Sequence, residues 1–182
     1  MRKLICCLLL VVSVFSPLSA GTFDLGLTLG TNSHFGEKGS DVSKMKLAWG
    51  VTLGLTDLWE LELQANSSLI PRFFGDTSFV ILAQKAMLGQ RSTGGKVAGL
   101  GINSLLGAGI MVSNECFDGE FLLPTHLLLS VTPMSVGNPI SCKRERALAV
   151  TLAYNVFTSQ VSVLFDLIKY DFYLVGTYKD YL

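Results

Sequence analysis

The stretch 45–66, MKLAWGVTLGLTDLWELELQAN, alternates on both sides of a three-residue interruption. Leu47, Trp49, Val51, Leu53 and Leu55 share one parity, and Lys46, Ala48, Gly50, Thr52 and Gly54 share the other. Past Thr56-Asp57-Leu58 the pattern resumes, with Trp59, Leu61, Leu63 and Ala65 against Glu60, Glu62, Gln64 and Asn66. Period two over this length predicts a strand hairpin rather than a helix. Closing it on Thr56-Asp57-Leu58 pairs Leu53 with Leu61, Gly54 with Glu60 and Thr52 with Glu62. A slip of one residue would set glutamates beside leucines.

The same split recurs along the chain. Phe23, Leu25, Leu27 and Leu29 alternate with Asp24, Gly26, Thr28 and Gly30. Stretch 77–88 is apolar on both parities, which leaves its register open; Gln84 and Lys85 must point opposite ways, with Lys85 snorkelling toward an interface. In 97–113 the apolar parity faces Gly99, Gly101, Asn103, Gly107 and Gly109, with Leu105 the exception. Glycines on an inner face leave room for larger side chains opposite, such as Glu60 and Glu62. Stretch 121–132 carries Pro124 and His126 on the inner parity, and Pro124 predicts a bulge or a late strand start. Stretch 133–146, with Pro133, Pro139 and the basic run Lys143-Arg144-Glu145-Arg146, reads as irregular. Leu148, Val150, Leu152, Tyr154 and Val156 then alternate with Ala147, Ala149, Thr151, Ala153 and Asn155. Thr158-Ser159 turns the chain into Val161, Val163, Phe165 and Leu167 opposite Ser162, Leu164 and Asp166.

These segments make an all-β chain: an antiparallel barrel of eight strands, each near the ~9–11 residues that a tilted membrane strand needs. A membrane barrel turns its apolar parity to lipid and its polar parity to the lumen. Asp24, Lys46, Glu60, Glu62, Gln64, Asn66, Asn103, Asn155 and Asp166 would then form a lumen network, with Lys46 a candidate partner of the glutamates. Trp49, Trp59, Tyr154, Tyr170, Tyr173 and Tyr178 are candidates for interfacial girdles. One alternative is a soluble exported barrel of lipocalin type, with the leucine faces inward and an apolar ligand inside. Another is a surface scaffold or adhesin whose loops, 34–44 and 67–76, carry the contacts.

Residues 1–20 read as a secretory signal peptide, with Arg2 and Lys3, an apolar run 5–15, and small residues before a cut between Ala20 and Gly21. The expected location is therefore the cell outer membrane, with residues 21–182 as one barrel domain. Cys116 and Cys142 remain after cleavage, and two thiols in an exported chain suggest a disulfide. Eight strands put them in consecutive connections at opposite barrel ends, where they could not pair. Ten strands, with an extra one near 134–140, would bring them to one end, and both strand counts stay open on this point.

Charge adds a limit. Lys and Arg number 14 and Asp and Glu number 14, so nothing in the balance attracts nucleic acid. Glu60 and Glu62 sit about 7 Å apart on one face, a spacing open to acid–base work, but a lumen network is the plainer reading. No nucleophile-elbow pattern, phosphate loop or zinc set is present, so no enzyme, cofactor or metal is expected.

The export signal, the alternation and the LTDLWEL hairpin resemble small outer-membrane barrels of the OmpW and OmpX type. The segments LLLSVTPMSVG, LAYNVFTSQVSVLFDL and YDFYLVGTY resemble a treponemal family of small outer-membrane proteins of unassigned function. The resemblance implies a porin-like transport role: passage or capture of small, hydrophobic molecules through a narrow conduit. It also implies the lipid bilayer and the outer-membrane assembly machinery as partners.

Overall fold

The computed structural model describes residues 23–36, 45–68, 77–91, 95–97, 100–113, 122–138 and 143–176. The strands are β1 (Asp24–Phe35), β2 (Lys46–Gly54), β3 (Trp59–Ser68), β4 (Ser78–Ala86), β5 (Gly95–Val97), β6 (Leu100–Ser113), β7 (Leu123–Asn138), β8 (Lys143–Asn155) and β9 (Val161–Val175). They form one antiparallel sheet in the order β4-β3-β2-β1-β9-β8-β7-β6-β5, and β4 also pairs with β6. That pairing closes a barrel of eight long strands. The three-residue β5 only extends the edge beside the start of β6. There is no tenth strand at 134–140 among the described residues: β7 continues unbroken to Asn138 and pairs there with β8.

The hairpin β2–β3 has the register that alternation predicts, Leu53 with Leu61, Gly54 with Glu60 and Thr52 with Glu62. Its turn is tightened by the Thr56 hydroxyl, which accepts from the Trp59 backbone N–H at 3.0 Å. In β4 the ambiguous stretch resolves with Ser78, Val80, Leu82, Gln84 and Ala86 inward, while Lys85 faces outward over the Trp59 ring at 5.8 Å. Where β6 crosses β4 the backbones come close: a Cβ at Gly109 would run into the Ile81 carbonyl, so only glycine fits.

The faces are inside out relative to a soluble barrel. Leu127 is 53% exposed and Leu152 47%, whereas Glu60, Glu62 and Arg144 are fully buried. Leucines therefore coat the outside, contrary to the lipocalin alternative, and charges fill the inside. A small apolar layer also lies within, made by Val80, Leu82, Met111, Leu128, Ala153 and Leu164.

One irregularity positions everything that follows. On β7, β8 and β9, strict alternation fails at the same level. Pro133 and Met134, Ala147 and Leu148, and Leu167 and Ile168 are three pairs of consecutive residues that both turn away from the lumen. The pairing of β7 with β6 and of β9 with β1 shifts register there, as bulges require. Leu148 carries a left-handed φ of 57°, unusual for a branched side chain. This belt inverts the parity of the strand ends beyond it. Arg144 and Arg146 on β8, and Lys169, Asp171 and Tyr173 on β9, thereby face the lumen.

The region 133–146, expected to be irregular, is strand except for 139–142, which lies outside the described residues. Pro133 tolerates strand geometry because it sits at the bulge, where no ladder donor is needed. The bulge expected near Pro124 is present: Met111 pairs with His126 and Val112 with Pro124, leaving Thr125 as the extra residue.

Candidate functional site: a charged cluster closing the lumen

The barrel has two ends. The turn end holds the short β2–β3 turn, the β4–β5 connection, Asp24 and Val175. The loop end holds the β1–β2, β3–β4 and β6–β7 connections and the β8–β9 turn.

Inside the turn end, five carboxylates (Asp24, Glu60, Glu62, Asp166, Asp171) meet four cations (Arg91, Arg144, Arg146, Lys169), all buried. Arg144 straddles the lumen. Its Nη1 and Nη2 donate to the two oxygens of Glu60 at 2.8 and 2.9 Å, and its Nε donates to Asp171 Oδ2 at 2.8 Å. The forked pair on Glu60 is the strongest geometry available to an arginine and a carboxylate. Arg146 Nη1 donates to Glu62 Oε2 at 2.5 Å, and its Nη2 to Asp171 Oδ1 at 2.8 Å. Lys169 donates to Glu62 Oε1 at 3.0 Å and pairs with Asp166 at 2.9 Å. Neutral groups complete the shell: Gln84 donates to Glu62 at 2.6 Å, Thr28 to Asp171 at 2.8 Å and Asn32 to Asp166 at 2.7 Å. Tyr173 stacks against the Arg144 guanidinium, 5.7 Å from ring centre to Cζ.

Four strands supply most of this site. Glu60 and Glu62 project from β3, and Arg144 and Arg146 answer from β8, across the lumen rather than beside it. Lys169 and Asp171 come from β9, and Asp24 from β1. A buried charge without its partner is costly, so the cluster is stable only when all four strands are in place.

Toward the middle, a cavity of about 10 Å³ is lined by Asn32, Gln64, Thr151, Asp166, Lys169 and apolar neighbours. That is room for about one water. At the loop end the lumen carries weaker polar groups. His34 Nε2 and Ser162 Oγ are 2.7 Å apart, Thr125 Oγ1 and His126 Nδ1 2.8 Å, and the two imidazoles meet edge to face at 6.0 Å.

The expected lumen residues fall in different places. Asp24, Glu60, Glu62 and Asp166 join the cluster. Gln64 and Asn66 are buried and bonded to each other at 2.6 Å. Asn103 accepts from the Leu88 N–H and donates to the Gln90 carbonyl, which braces the β4–β5 connection. Asn155 accepts from the Phe157 and Thr158 N–H groups in the β8–β9 turn. Lys46 is the correction. It pairs in the ladder with Ser68 and Asn32, six residues from Thr52, and so lies about 20 Å along β2 from the level of Glu62. The partners of the glutamates are instead Arg144, Arg146 and Lys169, which alternation alone assigns to a loop or to no face.

Of the aromatic residues, Trp49, Trp59, Tyr154 and Tyr170 all lie on the outward parity, Tyr154 near the loop end, Trp59 beside the β2–β3 turn, and Trp49 and Tyr170 on one rung with Leu29. The Trp49 indole N–H donates to Ser67 Oγ at 3.1 Å, and Lys143 lies 4.4 Å over Tyr170. Tyr173 is a second correction: it is 4% exposed and belongs to the lumen, because the bulge at Leu167 and Ile168 inverts its parity. Tyr178, Cys116, Cys142, Ala20 and Gly21 lie outside the described residues. The strand ends flanking the cysteine-bearing connections, Ser113 and Leu123 for one and Asn138 and Lys143 for the other, sit at opposite ends of β7.

No protein-family model matches the chain, and no curated protein matches it. Among solved structures, the solution NMR structure of de novo designed TMB2.3 is similar, with 11% identity and a TM-score of 0.46, covering 86% of this chain and 98% of that one.

Proposed function

We propose that the chain is an integral outer-membrane barrel, its leucine face in lipid, and that its lumen is a narrow conduit held closed by the charged cluster. The observation that carries this reading is the inversion of faces. Water would solvate Arg144, Glu60 and Glu62 on the outside of a soluble barrel, yet these are among the most buried side chains, and large apolar side chains of every long strand are exposed. Tyr154 near the loop end and Trp59 beside the β2–β3 turn fit the two interfaces of a bilayer, while Trp49 and Tyr170 share the Leu29 rung between them. The short β2–β3 turn, the start of β1 and the end of β9 share one side, which fits the periplasmic arrangement of outer-membrane barrels.

An eight-stranded interior is only wide enough for side chains, and here they fill it. Among the described residues, the cavity of about 10 Å³ in mid-lumen has room for about one water and none for an apolar solute. The conduit is therefore read as one for water and small ions, passing only when the cluster parts. The adhesin reading has no support in the barrel itself; its loop residues 37–44 and 69–76 lie outside the described residues.

The test is extraction and conductance on one preparation. Protein in isolated membranes should stay in the pellet through an alkaline carbonate wash, and the refolded chain should migrate faster before boiling than after. In planar bilayers it should show rare, brief openings rather than a steady open level. Release into the supernatant overturns the membrane reading; a large steady conductance overturns the closed lumen.

A further inference from the structure

We propose that the turn-end mouth is a guanidinium-binding cradle, which this chain fills with its own Arg91. Three of the four cations in the cluster stand on strands; Arg91 stands on the connection after β4 and reaches in from outside the sheet. Its side chain is nevertheless 1% exposed. Its Nη2 lies 2.7 Å from Asp24 Oδ2, its Nε donates to the Thr56 carbonyl at 2.7 Å, and its Nη1 lies 3.9 Å from Glu60 Oε2. The floor is Gly54. A Cβ built there would collide with the guanidinium plane, since the nearest atoms are Nη2, Nη1 and Cζ of Arg91.

Asp24, Glu60 and Thr56 belong to β1, to β3 and to the turn between β2 and β3, and strand pairing sets the backbones of Asp24 and Glu60 beside Gly54 without Arg91. The connection itself is anchored through its backbone. The Arg91 N–H donates to the Asp57 carbonyl at 2.6 Å, and Asn103 braces Leu88 and Gln90. Arg91 thus behaves as a tethered ligand in a site built by other elements. The Thr56 carbonyl at Nε and the Asp24 carboxylate beside Nη2 line one edge of a planar fork, with the Glu60 charge 3.9 Å from Nη1 and a floor without a side chain, and this shape suits a guanidinium better than an ammonium. A point charge would meet one carboxylate and leave the plane over Gly54 empty. The chemical class the cradle takes is a small planar guanidinium compound or an arginine side chain.

Chemical rescue tests this on the full chain refolded in detergent micelles. Methylguanidinium chloride is titrated, at millimolar concentrations far below denaturing ones, into wild type, Arg91→Ala and Gly54→Ala/Arg91→Ala, with the urea midpoint as readout. Arg91→Ala should gain a saturable rise in midpoint that wild type lacks, because its cradle is vacant. The double variant should need on the order of tenfold more methylguanidinium, since the added methyl group takes the place of the plane. Methylammonium should not reproduce the rise. If Arg91→Ala does not refold alone, refolding yield against methylguanidinium becomes the readout, with the same expectations. The proposal is overturned by no saturable gain in Arg91→Ala, by an equal gain in the double variant, or by an equal gain from methylammonium.

Discussion

Replacing Arg146 with Met removes one cation from two fully buried carboxylates while keeping a long unbranched side chain. Arg146 holds Glu62 through Nη1 and Asp171 through Nη2. Breaking a buried pair by removing one partner costs about 3–5 kcal/mol, most of it the penalty of the charge left behind. Here neither carboxylate is stranded entirely. Glu62 keeps Lys169 and Gln84, and Asp171 keeps Arg144 and Thr28. The expected loss is therefore at the lower end, about 3 kcal/mol. With a urea dependence of about 1–3 kcal/mol per molar, the unfolding midpoint should fall by about 1–3 M.

The comparison that gives this number meaning is Lys143→Met. Lys143 also makes a close ion pair, 2.7 Å from Glu145, but the two side chains are 30% and 54% exposed. Such a pair is worth at most about 1 kcal/mol. Adding Glu62→Gln to Arg146→Met should recover part of the loss, giving a coupling of about 1–3 kcal/mol in a double-mutant cycle. Urea titrations in lipid vesicles, followed by the fluorescence of Trp49 and Trp59, measure all the variants against wild type. If Arg146→Met and Lys143→Met fall within about 0.5 kcal/mol of each other, the cluster does not hold the barrel together as argued.

Two further outcomes follow from the backbone. Deleting Leu148 removes one of two consecutive outward residues, so strict alternation then carries Arg144 and Arg146 to the lumen without a bulge, and a fast-migrating folded band should still form on unboiled gels. Leu148→Gly, which keeps the residue and suits its φ of 57°, should refold as wild type does; loss of the folded band from the deletion alone would sink the parity argument. Gly109→Ala should fail to refold because its Cβ meets the Ile81 carbonyl, while Gly95→Ala, whose Cβ would meet nothing nearer than 3.7 Å, should refold normally. Equal refolding yields would show that the β4–β6 approach is looser than described.

The barrel was legible wherever alternation ran undisturbed. The β2–β3 register, the inward Asp24, Glu60 and Glu62, and the glycine-rich inner face of β6 all follow from period two and need no tertiary information. The cations of the site were not legible by that route, for two reasons. Arg91 is on a connection, and no periodicity describes a side chain that enters a barrel from its mouth. Arg144, Arg146, Lys169 and Asp171 sit beyond a bulge, and a bulge is invisible to a pattern that assumes one residue per step. Counting parity from Leu148 puts Arg146 on the apolar outer face, so the segment reads as a loop, and Pro133 and Pro139 reinforce that reading.

A charge argument would have found them. Glu60 and Glu62 stand two apart on one strand, about 7 Å along its axis, and a lumen packed with side chains must answer both. Arg144 and Arg146 repeat that spacing on β8, and Lys169 and Asp171 repeat it again on β9. Here the carboxylate ladder of β3 and the guanidinium ladder of β8 match rung for rung across the closed cylinder. β3 and β8 are never hydrogen-bonded neighbours, since β2, β1 and β9 lie between them on one side and β4, β6 and β7 on the other. No hairpin or partial sheet can bring these charges together. The bulge belt then has a physical purpose: it turns the ladder of β8 inward while leaving Val150, Leu152 and Tyr154 outside, so one strand serves the apolar outer face along one half and the ion cluster along the other.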